Sequence, residues 1–259
     1  MTPFVEAHDL VLGYDGNVAV TASSFAIPVG GVTAIIGPNG SGKSTALHAV
    51  AGILTPISGT LRVFGQPPSD AWRRCAYVMQ TVHFPPGVPI TAKEVVGMGR
   101  YPTRGWFRPF RNDDHARIAD AMEQLEITDL AGKHLSELSG GQRQRVYVAQ
   151  ALAQDHEAVL MDEPLTGLDI VSAKTIDRII HTENEVGHSV ILTTHDLDEA
   201  RAADTVILMS GRVVAHGTPE SVLTRENLEI AYGLGALHEW DDSTFLDDPA
   251  DTGHHHSAQ

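Results

Sequence analysis

The run Gly37-Pro38-Asn39-Gly40-Ser41-Gly42-Lys43-Ser44 constrains this chain more than any other stretch. It fits G-x-x-x-x-G-K-[ST], with the apolar run Val32 to Ile36 before it. After it, Leu47, Val50 and Leu54 recur at helical spacing. A strand, a glycine turn and a helix in that order point successive backbone N–H groups inward at an anion. The helix N-terminus adds a favourable dipole. In such a loop Lys43 reaches the β- and γ-phosphates of a nucleoside triphosphate and Ser44 ligates Mg2+. The candidate cradle is therefore Gly37, Asn39, Gly40, Ser41, Gly42, Lys43, Ser44 and Thr45.

The same unit predicts the fold class. Ala158 to Met161, Val190 to Thr193 and Thr205 to Met209 are further apolar strand candidates alternating with helical patterns, which predicts an α/β fold with a mostly parallel core sheet. The first third differs. Phe4 to Leu12, Ser24 to Ile27 and Thr60 to Val63 read as shorter strands of an antiparallel β subdomain, separated by Gly and Pro. Residues from about Phe84 to Asp155 read as a helical subdomain. In it, Thr91-Ala92-Lys93-Glu94 is a capping-box pattern, and Asp113 to Glu126 carries Ile118, Met122 and Leu125 on one stripe. Gly99 to Asn112, rich in Gly, Pro, Arg and aromatics, reads as an irregular loop.

Charge narrows the partners. With 18 Lys+Arg against 33 Asp+Glu the net charge is −15, which argues against a nucleic-acid grip while leaving room for a small phosphate ligand. The single Cys75 permits no internal disulfide and fits a reducing compartment. No run approaches the roughly 20 apolar residues of a membrane span, and the N-terminus has no basic or apolar leader pattern, so a cytosolic chain without a signal peptide is expected. Residues 1–233 read as one domain and 234–259 as a loosely held tail. That tail holds Glu239, Asp241, Asp242, Asp247, Asp248 and Asp251, with His238, His254, His255 and His256. It reads as an acidic tail, with a metal sensor as the other reading.

Ala158-Val159-Leu160-Met161-Asp162-Glu163 is an apolar strand ending in two acids, a weak signal alone. Beside a phosphate loop it supplies the carboxylate that such enzymes need for magnesium. Asp162 faces the metal in this reading, and Glu163 acts as general base toward water. Leu138-Ser139-Gly140-Gly141-Gln142, opening a helix, is a second anion site. Since one site per nucleotide already exists, the second points to a different copy of the chain presenting it to the same γ-phosphate.

Taken in order, these motifs resemble the ATP-binding cassette (ABC) ATPases over about Phe4 to Gly233, and LSGGQ is that family's signature. The resemblance implies that Tyr14 in LGYDG stacks on adenine. Gln80 in YVMQ senses Mg2+ and water, and couples to a membrane partner. Leu168 and Asp169 match the loop crossing the dimer interface, and His195 in TTHD matches the γ-phosphate switch histidine. Thr166-Gly167 departs from the Ser-Ala common before Leu-Asp. His8, His48, His115, His134, His156, His181, His188 and His216 have no such context and read as structural or exposed.

It further implies a head-to-tail homodimer closing over two ATP molecules, each with Mg2+. The implied partners are an integral-membrane permease and an extracytoplasmic metal-binding protein, with the chain at the cytoplasmic face of the membrane. The MGRY…GWF…R element and the QRVYVAQALAQD run look like ATPases of manganese and zinc importers. Ferric-siderophore ATPases share the MGRxP opening. A soluble ABC ATPase without a permease is the remaining class. Arg100, Arg104, Arg108, Arg111 and Arg117 have two readings, a solvated basic loop or a contact surface for the permease or anionic headgroups.

Overall fold

A computed structural model describes residues 3–80, 89–105 and 107–233. The expectations for the tail after 233 and for Trp106 of the GWF element lie outside the described residues.

The chain opens with β1 (Val5–Tyr14) and β2 (Asn17–Ile27), joined through Asp15 and Gly16, both at positive φ. An Asp-Gly pair suits such a two-residue hairpin. After β3 (Val32–Ile36) and α1 (Lys43–Val50), β4 (Ser58–Val63) returns to pair antiparallel with β1, giving the sheet order β2-β1-β4. β2 extends well before Ser24, because Asn17, Val18 and Val20 pair with Tyr14, Gly13 and Leu12 of β1.

Next come α2 (Pro68–Ala71), β5 (Cys75–Val78), α3 (Ala92–Met98), α4 (Tyr101–Arg104), α5 (Asn112–Gln124) and α6 (Gly140–Leu152). The remainder is β6 (Ala158–Asp162), α7 (Ile170–Glu185), β7 (Ser189–Thr194), α8 (Leu197–Ala202), β8 (Thr205–Met209), β9 (Val213–Gly217), α9 (Pro219–Val222) and α10 (Arg225–Tyr232). The large sheet runs β5-β6-β7-β3-β8-β9, parallel except at β9. No helix among the described residues is long and apolar enough to cross a membrane.

Both faces of this sheet are covered, which is why its strands read as continuous apolar runs. Val159, Met161, Val190, Leu192, Val206 and Leu208 face one core with the helices. The intervening Leu160, Ile191, Ile207 and Met209 face the other, shared with the antiparallel sheet and α1. Cys75 belongs to that second core, and burial pushes its thiol up to about 12, so it is no thiolate at neutral pH.

α3 opens as expected at the Thr91 capping box, where Glu94 N–H donates to Thr91 Oγ1 at 3.3 Å and Thr91 N–H to Glu94 Oε2 at 2.8 Å. Gly99 to Asn112 departs from the expected loop, since it contains α4 and the buried Arg100, 2% exposed. Arg100 Nε donates to Asp114 Oδ1 at 3.0 Å and its NH1 to the Ala153 carbonyl at 2.7 Å. Arg104 Nε stands 3.0 Å from Asp114 Oδ2, and Arg117 NH1 3.0 Å from Asp155 Oδ1. The arginine cluster is therefore no uniform solvated loop. Three of its members neutralise acids of their own chain, while Arg108 and Arg111 are exposed.

Candidate active site

The parallel register assembles the site. β3 pairs with β7 so that Ile36 lies beside Thr194, and β7 with β6 so that Thr193 lies beside Asp162. β5 adds Val78 opposite Met161, which brings Gln80 to the same sheet edge. The phosphate loop, two acids, a glutamine and His195 thus meet beyond the C-terminal ends of the strands, where parallel sheets place ligands.

The loop needs its glycines. Gly40 and Gly42 have φ of 78° and 97°, and a Cβ on Gly42 would stand 2.5 Å from Val20 Cγ2. Lys43 is buried, and its Nζ donates to the carbonyls of Gly37 at 2.9 Å and Pro38 at 3.3 Å. Burial pulls the pKa of this ammonium down, against the opposing pull of the Glu163 and Asp162 carboxylates. Ser41 is buried and Asn39 and Gly40 are exposed at the loop tip; Ser44 and Thr45 follow Lys43 in the first turn of α1.

Asp162 is the hub. Ser44 Oγ donates to its Oδ1 at 3.0 Å, and Thr193 Oγ1 donates to the same oxygen at 2.6 Å. Thr193 Oγ1 also accepts the Glu163 N–H at 2.9 Å. Glu163 has φ of 46°, uncommon for a residue with a Cβ, so the strand's alternation breaks there. Its Oε2 accepts from Gln80 Nε2 at 2.8 Å. A hydroxyl and a carboxylate oxygen side by side are hard donors that suit Mg2+.

Tyr14, at the end of β1, is 44% exposed, and its hydroxyl lies 2.6 Å from His48 Nδ1 on α1. His195 is exposed one residue after β7.

The Ser139 to Gln142 stretch forms a separately bonded group. Ser139 caps α6, its Oγ accepting the Gln142 N–H at 3.2 Å while Gln142 Oε1 accepts the Ser139 N–H at 3.0 Å. Asp169 caps α7 by accepting the Ser172 N–H at 2.9 Å and the Ser172 hydroxyl at 2.8 Å. These bonds, the backbone one first, hold the Asp169 carboxyl below its ordinary pKa. The two caps touch. A Cβ on Gly141 would fall 2.2 Å from Asp169 Oδ2. Gly140 has open space around it. Asp169 is thus grouped with the Ser139 stretch of its own chain.

Sequence reasoning did not single out Thr193, nor the contact of His48 with Tyr14. Thr193 stands two residues before His195, and its hydroxyl in a buried strand was the available signal. His48 has no context in the sequence, because its contact with Tyr14 spans 34 residues.

A protein-family model described as ABC transporter matches residues 20–166. The zinc transport system ATP-binding protein TroB of Treponema pallidum is 40% identical over 230 residues, covering 88% of this chain and 86% of that protein. The hemin import ATP-binding protein HmuV of Nocardia farcinica is 44% identical over 216 residues, covering 80% and 73%. Among solved structures, the dimeric post-hydrolysis ATP-binding cassette MJ0796, bound to ADP and Pi, superposes with a TM-score of 0.73 at 25% identity, covering 83% of this chain and 98% of that one. With a matched phosphate loop, an acid-ended strand beside it and relatives that run nearly its full length, this chain belongs to the ABC transporter family of ATPases.

Proposed function

We propose that this chain is the ATP-hydrolysing subunit that energises a membrane permease for uptake of a divalent metal ion, manganese or zinc. The observation that carries the catalytic part is the linked set Ser44–Asp162–Thr193–Glu163–Gln80 at one sheet edge. The metal part is supported by relatives named for zinc transport in Treponema pallidum and manganese transport in Listeria monocytogenes. A second reading, an importer of iron chelates or haem, rests on the hemin import relative.

In this reading ATP lies along the phosphate loop. Tyr14 stacks on the base, and the N–H groups from Asn39 to Thr45 with Lys43 hold the phosphates. Ser44 and Asp162 would hold Mg2+, with Gln80 nearby; the ion supplies charge neutralisation at the phosphates. Thr193 fixes Asp162 and the Glu163 backbone together, so the metal ligand and the base move as one unit. Glu163 takes the proton of the attacking water, Gln80 orients the Glu163 carboxylate, and His195 contacts the γ-phosphate. Ser139, Gly140, Gly141 and Gln142 of a second copy close over the same nucleotide, so the ATP-bound state is a homodimer. Leu168 and Asp169 reach the interface beside them.

Residues 1–233 form the ATPase in this proposal, with a helical subdomain over about 84–155 and an acidic tail over 234–259. The chain works at the cytoplasmic face of the membrane with a permease and an extracytoplasmic metal-binding protein, and it takes no nucleic acid.

Two outcomes test this. Gly141→Ala is expected to lower ATP turnover by about 100-fold, because a displaced α6 start misaligns the second copy's contribution. Nucleotide affinity of the phosphate loop stays unchanged in a fluorescent-nucleotide titration. A turnover equal to wild type removes the role of this stretch. Deletion of the gene is expected to abolish high-affinity uptake of Mn2+ or Zn2+ and to spare Fe3+ chelates. Loss of chelate uptake alone moves the assignment to the second reading. Uptake of all three unchanged overturns metal import.

A further inference from the structure

The sheet has a second collection of polar side chains, at the end away from the phosphate loop. β6 and β7 are parallel neighbours with Ala158 beside Ser189, so His156 and His188 sit side by side just before their first residues. α7 is the crossover between these strands, and it returns to that end of the sheet with Glu183 in its last turns. One buried carboxylate is thereby set between two imidazoles.

The atoms converge. His156 Nε2 lies 2.9 Å and His188 Nδ1 2.7 Å from the same oxygen, Glu183 Oε2. All three ligand atoms lie within 4.8 Å of one another. The side chains of His156 and Glu183 are 6% and 10% exposed, while that of His188 is 32% exposed. The set is thus buried on two sides and reachable from one. His156 Nδ1 is 2.8 Å from the Gln154 carbonyl, which can only accept, so Nδ1 carries a proton. In the neutral ring, Nε2 then points a lone pair at a carboxylate oxygen. Two acceptors at that distance require a proton or a cation between them.

We propose that His156 Nε2, Glu183 Oε2 and His188 Nδ1 form a binding site for a divalent transition-metal ion of the zinc class. Two imidazole nitrogens with one carboxylate oxygen suit Zn2+ and Co2+, whereas Mg2+ prefers oxygen donors throughout. Ligand atoms around a tetrahedral ion stand about 3.3–3.5 Å apart, so the two contacts to Glu183 Oε2 open by roughly half an ångström. The half-exposed His188 side leaves room for a water as the fourth ligand. The Gln154 carbonyl supplies the outer hydrogen bond that metal-bound histidines commonly make. Glu157, next to His156, is held by Arg74 through two 2.6 Å bonds and stays outside the set. The site is independent of any transport role. An ion there ties the starts of β6 and β7, which carry Asp162 and Thr193 about 13 Å further on at ~3.3 Å per residue.

The test uses the full chain, free of nucleotide, with His238, His254, His255 and His256 replaced by Ala so that the tail adds no imidazole. Titration with Co2+ is expected to develop the visible band of a four-coordinate ion at one equivalent, and Zn2+ to displace it. Glu183→Gln and His188→Gln are each expected to weaken this binding at least ~100-fold, since each removes a ligand. His188→Cys should restore it, because a thiolate ligates zinc and a hydrogen-bonding role would not be rescued that way. Metal held at Ser44 and Asp162 is untouched by these changes and cancels in the comparison. Isotherms identical across the variants, or no stoichiometric metal at all, overturn the proposal and leave the cluster as a proton-shared pair. His188→Gln alters the most exposed member, so the comparison survives should replacement of a buried member prevent folding.

Discussion

Glu163→Gln is expected to cut ATP turnover by about 10²–10⁴-fold, the range for removing a general base. Glutamine keeps the shape of the side chain, and its Oε1 can still accept from Gln80 Nε2, now 2.8 Å from the Glu163 carboxylate. It cannot take a proton from water. The backbone anchor also survives, because it is the Glu163 N–H that donates to Thr193 Oγ1. The change therefore separates proton transfer from assembly of the site. ATP affinity should hold or rise, since one carboxylate near the γ-phosphate is neutralised. ATP-bound dimers should accumulate, visible by size-exclusion chromatography with Mg-ATP, while single-turnover phosphate release gives the rate. Turnover at the wild-type rate would refute Glu163 as the base and move that task to His195 or to the phosphate itself.

The contrast between Glu163 and Thr193 marks what the sequence makes legible. The loop from Gly37 to Ser44, the acid-ended strand and the Ser139 stretch are contiguous, and their chemistry depends on local spacing. They could be read without knowing which strands are neighbours. Thr193 acts because β6 and β7 pair in one register, with Thr193 beside Asp162, and only the folded sheet supplies that pairing. His156, Glu183 and His188 are likewise assembled by the fold, and each alone resembles an ordinary polar residue. The strand order β5-β6-β7-β3-β8-β9 is what brings them together.

The arginine cluster went the other way. Its composition suggested a basic surface, yet Arg100, Arg104 and Arg117 pair with Asp114, Asp155 and Asp113. Local counting of charge could not see partners up to 55 residues away. A charge reversal at Arg104 would accordingly disturb the fold as well as any surface contact. Arg108 and Arg111 are exposed, as is Arg117 beside its acidic partners.

Arg100→Ala is expected to cost about 3–5 kcal/mol of stability, as for other buried ion pairs that lose one partner. For a domain of this size that corresponds to a fall of roughly 6–20 °C in Tm. Arg100 is 2% exposed and bonds to Asp114 Oδ1, to the Ala153 carbonyl and to Asp155 Oδ2, so its loss leaves one buried carboxylate oxygen and a carbonyl in the interior without their donor. Replacing Arg100 by Met and Asp114 by Leu together should recover part of the loss, because the buried Asp114 carboxylate is then no longer left without Arg100, although Arg104 loses its own contact with Asp114. Recovery stays incomplete, since Asp114 also accepts the Arg111 N–H at 2.8 Å at the start of α5. Acid titration supplies a second readout. Burial alone would raise the Asp114 pKa, but the Arg111 N–H and the guanidinium groups of Arg100 and Arg104 outweigh it and hold it below the ordinary value. A depressed carboxylate contributes stability above its unfolded pKa and loses it as pH falls through the folded one. Urea midpoints of the wild type should therefore decline below about pH 4. In Arg100→Ala the Asp114 pKa moves back up, the gap between folded and unfolded values narrows, and the decline becomes shallower. Parallel acid profiles for the two proteins would mean that Arg100 does not hold Asp114 in its charged form.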